Sequence, residues 1–128
     1  MRVLLDTCTF LWLAASPDRI SDTAKAAIDD AGNNLLLSDV SVWEIATKHR
    51  IGKLPLPQAP RSWVSAQMSF FQLDRLPIDI EAIYLSGELP LIHRDPFDRL
   101  LAAQAQGRSL TVLTPDEPFQ ALGADVLW

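Results

Sequence analysis

Four carboxylic acids lie where the chain leaves an apolar run or enters a helical pattern: Asp6, Glu44, Asp98 and Asp116. Parallel strands end at one edge of a sheet, so acids that follow such strands would meet in one crevice. Like charges held within a few ångströms repel and need a counter-charge, which predicts a bound cation. Carboxylate oxygens favour Mg²⁺ or Mn²⁺, and ions held in this way usually also bind phosphate oxygens. The acids therefore indicate phosphoryl chemistry.

Each acid also has a purely structural interpretation, because such residues commonly cap helices and complement the helix dipole. Asp6 could be an N-cap that follows a strand. Capping patterns occur at residues 41–44, 95–98 and 114–117. In the first, Glu44 would reach back to Ser41, and in the second, Asp95 precedes a proline. The joint arrangement, and not any single acid, favours the metal site.

The hydropathy pattern predicts strands that alternate with helices. Strands are predicted at residues 3–5, 35–37, 71–76, 110–113 and 126–127, and helices at 10–14, 21–31, 41–51, 61–71, 79–85, 96–106 and 118–122. Strands that are apolar throughout are typical of a parallel sheet covered on both faces. We therefore expect a single α/β domain over residues 1–128, in three layers, with a short and mostly parallel sheet between helices.

Composition limits the remaining possibilities. The chain has 128 residues, of which 48% are hydrophobic and 21% are charged, as in an ordinary globular domain. Its one cysteine, Cys8, excludes an internal disulfide and a cysteine-based zinc site and fits a reducing cytoplasm. Asp6 interrupts the N-terminal apolar run, so we expect neither a secretory signal nor a membrane span. A net charge of −5 argues against nucleic-acid binding through bulk positive charge.

Three segments of the chain resemble PIN-domain ribonucleases of the VapC toxin type. They are LLDT at residues 4–7, SDVSVWEIA at 38–46 with Lys48 and GKL at 52–54, and HRDPFDRLLAAQA at 93–105. The resemblance implies a metal-dependent endoribonuclease that uses Mg²⁺ or Mn²⁺ and acts as the toxin of a type II toxin–antitoxin pair. It assigns catalysis and metal binding to Asp6, Glu44, Asp98 and Asp116.

Neighbouring residues take supporting roles in this interpretation. Thr7 and Thr114 are expected to hydrogen-bond the carboxylates beside them. Asp95 is expected to cap a helix, with support of the metal ligands as the alternative. Pro115 departs from the family pattern, which leaves Glu117 as an alternative to Asp116.

The resemblance also implies three partners: an RNA substrate, a cognate VapB-type antitoxin and a second copy of the chain. The candidates for RNA contact are Lys48, Arg50, Arg94 and Arg99. The candidates for an antitoxin groove near the site are Phe10, Leu11, Trp12, Trp43 and Leu54. Two divalent ions bound by the acids would raise the formal net charge of −5 by four, so RNA binding should depend more on metal than on monovalent salt.

Other classes of protein fit the residues less well. A haloacid-dehalogenase-like phosphatase needs an acid where Cys8 stands. A phospho-receiver domain needs an acidic pair after the first strand and a lysine after a late strand, whereas this chain has Leu5 before Asp6 and Pro115 after Thr114. A metal-free nuclease would depend on His49 and His93 and would leave the acids without a role. A catalytically idle module that sequesters an antitoxin stays open.

Overall fold

The five predicted strands form one parallel sheet in the computed structural model, which describes residues 1–128. The strands are β1 (Arg2–Leu5), β2 (Asn34–Ser38), β3 (Asp74–Leu76), β4 (Thr111–Leu113) and β5 (Asp125–Leu127). Their order across the sheet is β3-β2-β1-β4-β5, and every neighbouring pair is parallel. The prediction of a mostly parallel sheet is confirmed, and the sheet contains no antiparallel pair.

Seven helices connect these strands, each close to its predicted position. They are α1 (Thr7–Ala15), α2 (Asp22–Asp29), α3 (Asp39–Arg50), α4 (Pro60–Phe70), α5 (Ile80–Glu88), α6 (Pro96–Arg108) and α7 (Glu117–Ala121). A short 3-10 helix at Pro17–Arg19 was not predicted, because three residues are too few to carry a hydropathy period. None of the helices combines the length and the apolar character needed to cross a lipid bilayer.

The sheet separates two hydrophobic cores, because successive side chains of a strand point to opposite faces. In β1, Val3 and Leu5 belong to the core formed with Phe10 of α1, Ala24 of α2 and the side chains of α4. Leu4 faces the other way, into the core that contains much of α6 and parts of α5 and α7. Helices therefore cover both faces, and the predicted three-layer α/β arrangement is confirmed.

The strand order places a topological switch point between β1 and β4. The chain proceeds from β1 outward to β2 and β3, then crosses back through α5 and α6 to β4 on the other side of β1. Connections that leave in opposite directions open a crevice at the carboxyl ends of the two strands. The loops after β1 and β4 stay close together, since the backbone N–H of Asp6 donates to the carbonyl of Leu113 at 3.2 Å.

Candidate active site

Asp6 lies at the carboxyl end of β1, where α1 begins. Its carboxylate accepts a hydrogen bond from the backbone N–H of Thr7 at 2.7 Å, which makes Asp6 the N-cap of α1. Its Oδ2 accepts from the Thr114 hydroxyl at 2.8 Å and from the Cys8 thiol at 3.3 Å. Asp6 is only 3% exposed. The same carboxylate therefore caps a helix and faces the crevice, so the two interpretations of this residue are compatible.

Glu44 lies in the second turn of α3, on the buried face of that helix. Ser38 caps α3 by accepting from the N–H of Val40 at 3.0 Å. The predicted capping box at Ser41 is wrong, because the serine at the end of β2 already begins the helix. Glu44 is 5% exposed, and its Oε2 accepts a hydrogen bond from the Lys48 ammonium. Its Oε1 is buried without any hydrogen-bond partner.

Asp98 lies in the first turn of α6. The predicted cap of this helix is confirmed: Asp95 accepts from the N–H of Phe97 at 2.9 Å, and Pro96 occupies the first helical position. Oδ2 of Asp98 lies 2.8 Å from Nε2 of His93, which belongs to the loop before the helix. The Asp98 carboxylate is therefore held by His93, which lies outside α6.

Asp116 follows β4 and begins α7. Its side chain makes no capping hydrogen bond and is exposed at the crevice. Its backbone N–H donates to the Thr114 hydroxyl at 3.0 Å, and that hydroxyl in turn donates to Asp6 at 2.8 Å. Thr114 is 2% exposed, so its hydroxyl links the ends of β1 and β4 inside the protein. Thr114 was expected to hydrogen-bond the carboxylate of its neighbour Asp116, but its hydroxyl donates to the carboxylate of Asp6 instead.

All four predicted acids line one cleft of about 370 Å³. Its walls are formed by Asp6, Thr7, Cys8, Leu11, Glu44, Ile45, Lys48, Lys53, Leu54, Asp95, Asp98 and Asp116. Two groups of side chains have ligand atoms within 4.8 Å of one another: Asp6 with Cys8 and Asp116, and His93 with Asp95 and Asp98. Glu117 is not among the residues that line the cleft. Besides the four predicted acids, the cleft therefore contains a fifth carboxylate, which belongs to Asp95 and not to Glu117.

Burial and mutual repulsion disfavour the charged form of two of these acids. Burial raises the pKa of Asp6 from 3.8 to about 6, and although its hydrogen bond with Thr114 opposes the change, repulsion from Asp98 adds to it. The pKa of Asp98 is also raised, first by burial and further by the nearby charge of Asp95. Burial and repulsion together disfavour several ionised carboxylates in this cleft unless a positive partner offsets them.

Lysine side chains supply part of this positive charge. Lys48 pairs with Glu44 one helical turn earlier, and this hydrogen bond is the main cause of the raised pKa of Lys48. Lys48 and Lys53 both line the cleft. Lys48 was predicted as an RNA contact, and the structure places it at the cleft wall in contact with a candidate metal ligand.

The predicted RNA contact at Arg99 is wrong, because that side chain is buried at 9% exposure and points away from solvent. Its guanidinium donates to backbone carbonyls of the segment between α5 and α6. Arg50 and Arg94 are exposed, as an RNA contact requires. Thr7 also differs from its prediction: its backbone N–H reaches Asp6, while its hydroxyl donates to Ser41 at 2.9 Å.

The five candidates for an antitoxin groove separate into different environments. Phe10 is 0% exposed and packs against Trp63, so its assignment to a groove is wrong. Leu11 and Leu54 line the acidic cleft, and Trp12 packs against Trp128. Trp43 is the exposed one, at 51%. It lines a wider groove of about 780 Å³ between α3 and α4.

Sequence reasoning missed two side chains that touch the candidate acids. Cys8 lies two residues after Asp6, and the first turn of α1 brings its thiol back to that carboxylate. Burial raises the pKa of the thiol, followed by repulsion from Asp6, so Cys8 acts as a hydrogen-bond donor. His93 contacts Asp98 through a loop. Its position five residues before Asp98, with Pro96 fixing the helix start between them, is the available signal.

The donor set fits a hard divalent cation. Carboxylate oxygens dominate the cleft, as in Mg²⁺ and Mn²⁺ sites. Burying a carboxylate oxygen without a hydrogen bond costs free energy. A cation bound at Oε1 of Glu44 would offset this cost. The raised pKa of Asp6 reflects the same cost of burial. The acidic cleft is therefore a candidate metal site.

Comparison with known proteins connects this cleft to a family. The family model for the PIN domain matches residues 3–125. A similar protein is Ribonuclease VapC16 of Mycobacterium tuberculosis (strain ATCC 25618 / H37Rv), with 39% identity over 62 residues. That match covers 48% of this chain and 43% of the relative, so the chain spans less than half the length of that protein.

Solved structures show the same fold over nearly the whole chain. VapBC2 from Rickettsia felis, bound to a DNA fragment from its promoter, has a chain with a TM-score of 0.72 and 15% identity, covering 98% of this chain and 97% of that one. DNA-bound VapBC from Salmonella typhimurium gives a TM-score of 0.72 with 18% identity, covering 98% and 96%. VapBC-5 from Mycobacterium tuberculosis gives 0.60 with 24% identity, covering 98% and 94%. With its fold, the acids that share its cleft and a family match over residues 3–125, this chain belongs to the PIN-domain family.

Proposed function

We propose that this chain is a metal-dependent endoribonuclease and the toxin of a type II toxin–antitoxin pair. The observation that carries the proposal is the buried, unpaired Oε1 of Glu44 in a cleft whose walls hold four further carboxylates. Membership of the PIN-domain family and the similarity to a protein named as a ribonuclease support it. An idle binding module would have no need for two neighbouring acids, Asp6 and Asp98, whose pKa values are raised, which disfavours that alternative.

Asp6, Glu44, Asp98 and Asp116 are the proposed ligands of Mg²⁺ or Mn²⁺. A bound ion would activate a water molecule for attack on the phosphodiester and offset the charge that develops on the phosphate. Thr114 holds Asp6 and the backbone of Asp116 at fixed positions through its one hydroxyl. The carboxylates then need little rearrangement when the ion binds.

Exposed basic side chains support the approach of RNA to this acidic protein. Lys53 lines the cleft and Lys48 stands beside it on the same wall. Arg94, on the loop before α6, and Arg50, at the end of α3, are both exposed. Few such contacts are available, so metal binding is the main source of positive charge for a phosphate.

The groove beside Trp43 supports contact with a VapB-type antitoxin. This indole is half-exposed and packs edge-on against Phe97 at a centroid distance of 4.7 Å, next to Asp98 in the chain. A segment with apolar side chains that covers Trp43 would therefore lie beside the acidic cleft. The structures of VapBC complexes share the fold, which makes the same kind of partner a reasonable proposal here. Trp43→Ala should weaken the complex with the antitoxin, and an unchanged affinity would refute this assignment.

One face of α5 supports the proposed homodimer. Ile80, Ile83 and Tyr84 recur at helical spacing and are 59%, 47% and 61% exposed. Large apolar side chains that share an exposed helix face commonly mark a protein–protein contact. Tyr84→Lys should shift the protein from dimer to monomer in sedimentation, whereas a dimer of unchanged stability would place the contact elsewhere.

Cleavage of RNA by the purified, antitoxin-free protein tests the enzymatic proposal. Structured RNAs are incubated with Mg²⁺, with Mn²⁺ and with EDTA, beside the variant Asp98→Asn. We expect cleavage with either metal and none with EDTA or with the variant. The matched control is Asp18→Asn, which changes an exposed acid that does not line the cleft.

Two results would contradict the proposal. Cleavage that survives both EDTA and Asp98→Asn would exclude the metal–carboxylate mechanism. A wild-type protein that cleaves no RNA while Mn²⁺ still binds would favour the idle binding module.

A further inference from the structure

The side chain of Arg99 fastens the loop before α6 to the helix. Nη1 donates to the carbonyl of Pro90 at 2.7 Å and to that of His93 at 3.0 Å. Nη2 donates to the carbonyls of Ser86 at 2.7 Å and Leu89 at 2.8 Å. We call this set of four hydrogen bonds the Arg99 clasp. It joins the end of α5, the loop and the first turns of α6 through one guanidinium.

The clasp is an unusual use of a buried charge. Arg99 is 9% exposed and forms no ion pair, since the four ion pairs of the chain involve Lys48, Arg75, His93 and Arg108. A buried cation without a carboxylate is costly unless hydrogen bonds satisfy it. Carbonyls at the C-terminal end of α5 meet this need, because that end of a helix dipole is negative.

Apolar packing within the chain does little to hold this loop. Leu91 and Ile92, at its centre, are 88% and 62% exposed. The loop is held to α6 by the hydrogen bonds from Arg99 and by the contact between His93 and Asp98. Without them, the loop backbone would have few constraints between Leu89 and Asp95.

His93 connects the clasp to the candidate metal site. Arg99 holds its carbonyl, and its ring nitrogen Nε2 lies 2.8 Å from Oδ2 of Asp98. An ionised carboxylate can only accept, so Nε2 is then the protonated nitrogen. The hydrogen bond occupies Oδ2 of Asp98, a residue that lines the cleft, and leaves the other oxygen, Oδ1, without this partner. Both the backbone and the ring of His93 are thereby fixed.

We propose that His93 and Arg99 are positioning residues for metal binding: Arg99 fixes the His93 backbone, and His93 orients the Asp98 carboxylate toward the ion. This inference rests on the proposed metal-dependent function and goes beyond it by assigning two residues that hold a ligand without binding the metal. Hydrogen bonds behind metal ligands typically change metal affinity by about 10- to 100-fold.

Calorimetric titration with MnCl₂ on the full chain tests the proposal without RNA. His93→Phe keeps a ring and removes the donor, so we expect Mn²⁺ affinity to fall by about tenfold or more. His93→Gln keeps an N–H donor at similar reach, and we expect an affinity within about threefold of wild type. Equal losses for both variants would overturn the hydrogen-bond role and would instead indicate that the imidazole is itself a ligand.

Arg99→Lys keeps the charge but cannot satisfy four carbonyls. We expect it to weaken Mn²⁺ binding as His93→Phe does. A protein that carries both Arg99→Lys and His93→Phe should bind Mn²⁺ no more weakly than His93→Phe alone, because both changes act through one contact. Additive losses would overturn the relay from Arg99 through His93. If Arg99→Lys does not fold, the His93 variants still decide the role of the ring, since His93 is partly exposed.

A spectroscopic measurement completes the test. The chain has two histidines, His49 and His93, so the imidazole resonances can be assigned in a long-range ¹H–¹⁵N spectrum. We expect the His93 ring to carry its proton on Nε2 in the wild type and to lose that single tautomer in Arg99→Lys. Wild-type protein that binds no Mn²⁺ and cleaves no RNA would remove the proposed function and this proposal with it. Wild-type binding that is unchanged in His93→Phe would overturn the positioning role alone.

Discussion

Replacing Asp6 with asparagine should change how the stability of the metal-free protein depends on pH. Asp6 is 3% exposed, and burial raises its pKa from 3.8 to about 6. An acid with a raised pKa is protonated more readily in the folded state, so its stabilising contribution is fully present below pH 3.8 and is lost as pH rises through about 6. Asparagine has no proton to lose and removes this dependence.

The size of the effect follows from the two pKa values. A pKa difference of about two corresponds to about 3 kcal/mol, at about 1.4 kcal/mol for each unit. The loss has already begun at pH 4, so between pH 4 and pH 8 the unfolding free energy of the wild type should fall by about 2.5 kcal/mol more than that of Asp6→Asn. Because both proteins carry all the other ionisable groups, the difference between their profiles isolates Asp6.

Urea unfolding in EDTA, followed by tryptophan fluorescence, measures this difference. Added Mn²⁺ provides the second half of the test: at about 100 times its dissociation constant, it should stabilise the wild type at pH 8 by about 2.7 kcal/mol. Asp6→Asn should gain much less, because it lacks one carboxylate of the site. Parallel pH profiles for the two proteins in EDTA would refute the burial argument, and equal stabilisation by Mn²⁺ would refute the role of Asp6 as a ligand.

Three further predictions concern the same cleft. Thr114→Val removes the hydroxyl that holds Asp6 and the backbone N–H of Asp116. The Mn²⁺ affinity measured by calorimetry should therefore fall by about 10- to 100-fold. Thr114→Ser keeps a hydroxyl and should keep the wild-type affinity. In the wild type, the Mn²⁺ affinity should drop about tenfold for each pH unit below about 6, because Asp6 must lose its proton before it binds the ion. A Mn²⁺ affinity that stays constant from pH 7 to pH 5 would contradict this prediction. The affinity for single-stranded RNA, measured at fixed Mg²⁺ with a variant that does not cleave, should vary with monovalent salt with a logarithmic slope of only about −2. The proposed phosphate contacts of exposed cations are three, from Lys53 of the cleft and from Arg50 and Arg94. A slope near −5 would require phosphate contacts elsewhere.

Local sequence patterns predicted most of the fold because they report local physics. The buried run at β1 and the capped start of α6 at Asp95 both appear in the structure where the hydropathy and capping patterns place them. The strand order was not predictable, because apolar strands such as β2 and β4 have no residue pattern that selects a neighbour. The switch point between β1 and β4 is therefore a property of the tertiary structure, although the acids beside it could be identified from the sequence.

The errors at the site have physical causes. Arg99 was predicted to contact RNA because it flanks the acidic motif in sequence, whereas the backbone carbonyls around its guanidinium allow its burial. Phe10 was predicted to line a groove because it lies near Asp6 in sequence, but a helix turns neighbouring residues to different faces. The contact between His93 and Asp98 depends on the path of a loop. The five-residue spacing and Pro96 bring the two residues close in sequence but do not fix that path.

The most direct test of the central claim is a Mn²⁺ titration in which metal binding and RNA cleavage are measured on the same preparation. If the acids around Glu44 hold the ion that catalyses the reaction, the Mn²⁺ concentration that gives half-maximal cleavage will equal the one that gives half-maximal binding by electron paramagnetic resonance. Asp98→Asn will shift or abolish both together. Cleavage that reaches its full rate before any Mn²⁺ is bound would contradict the account.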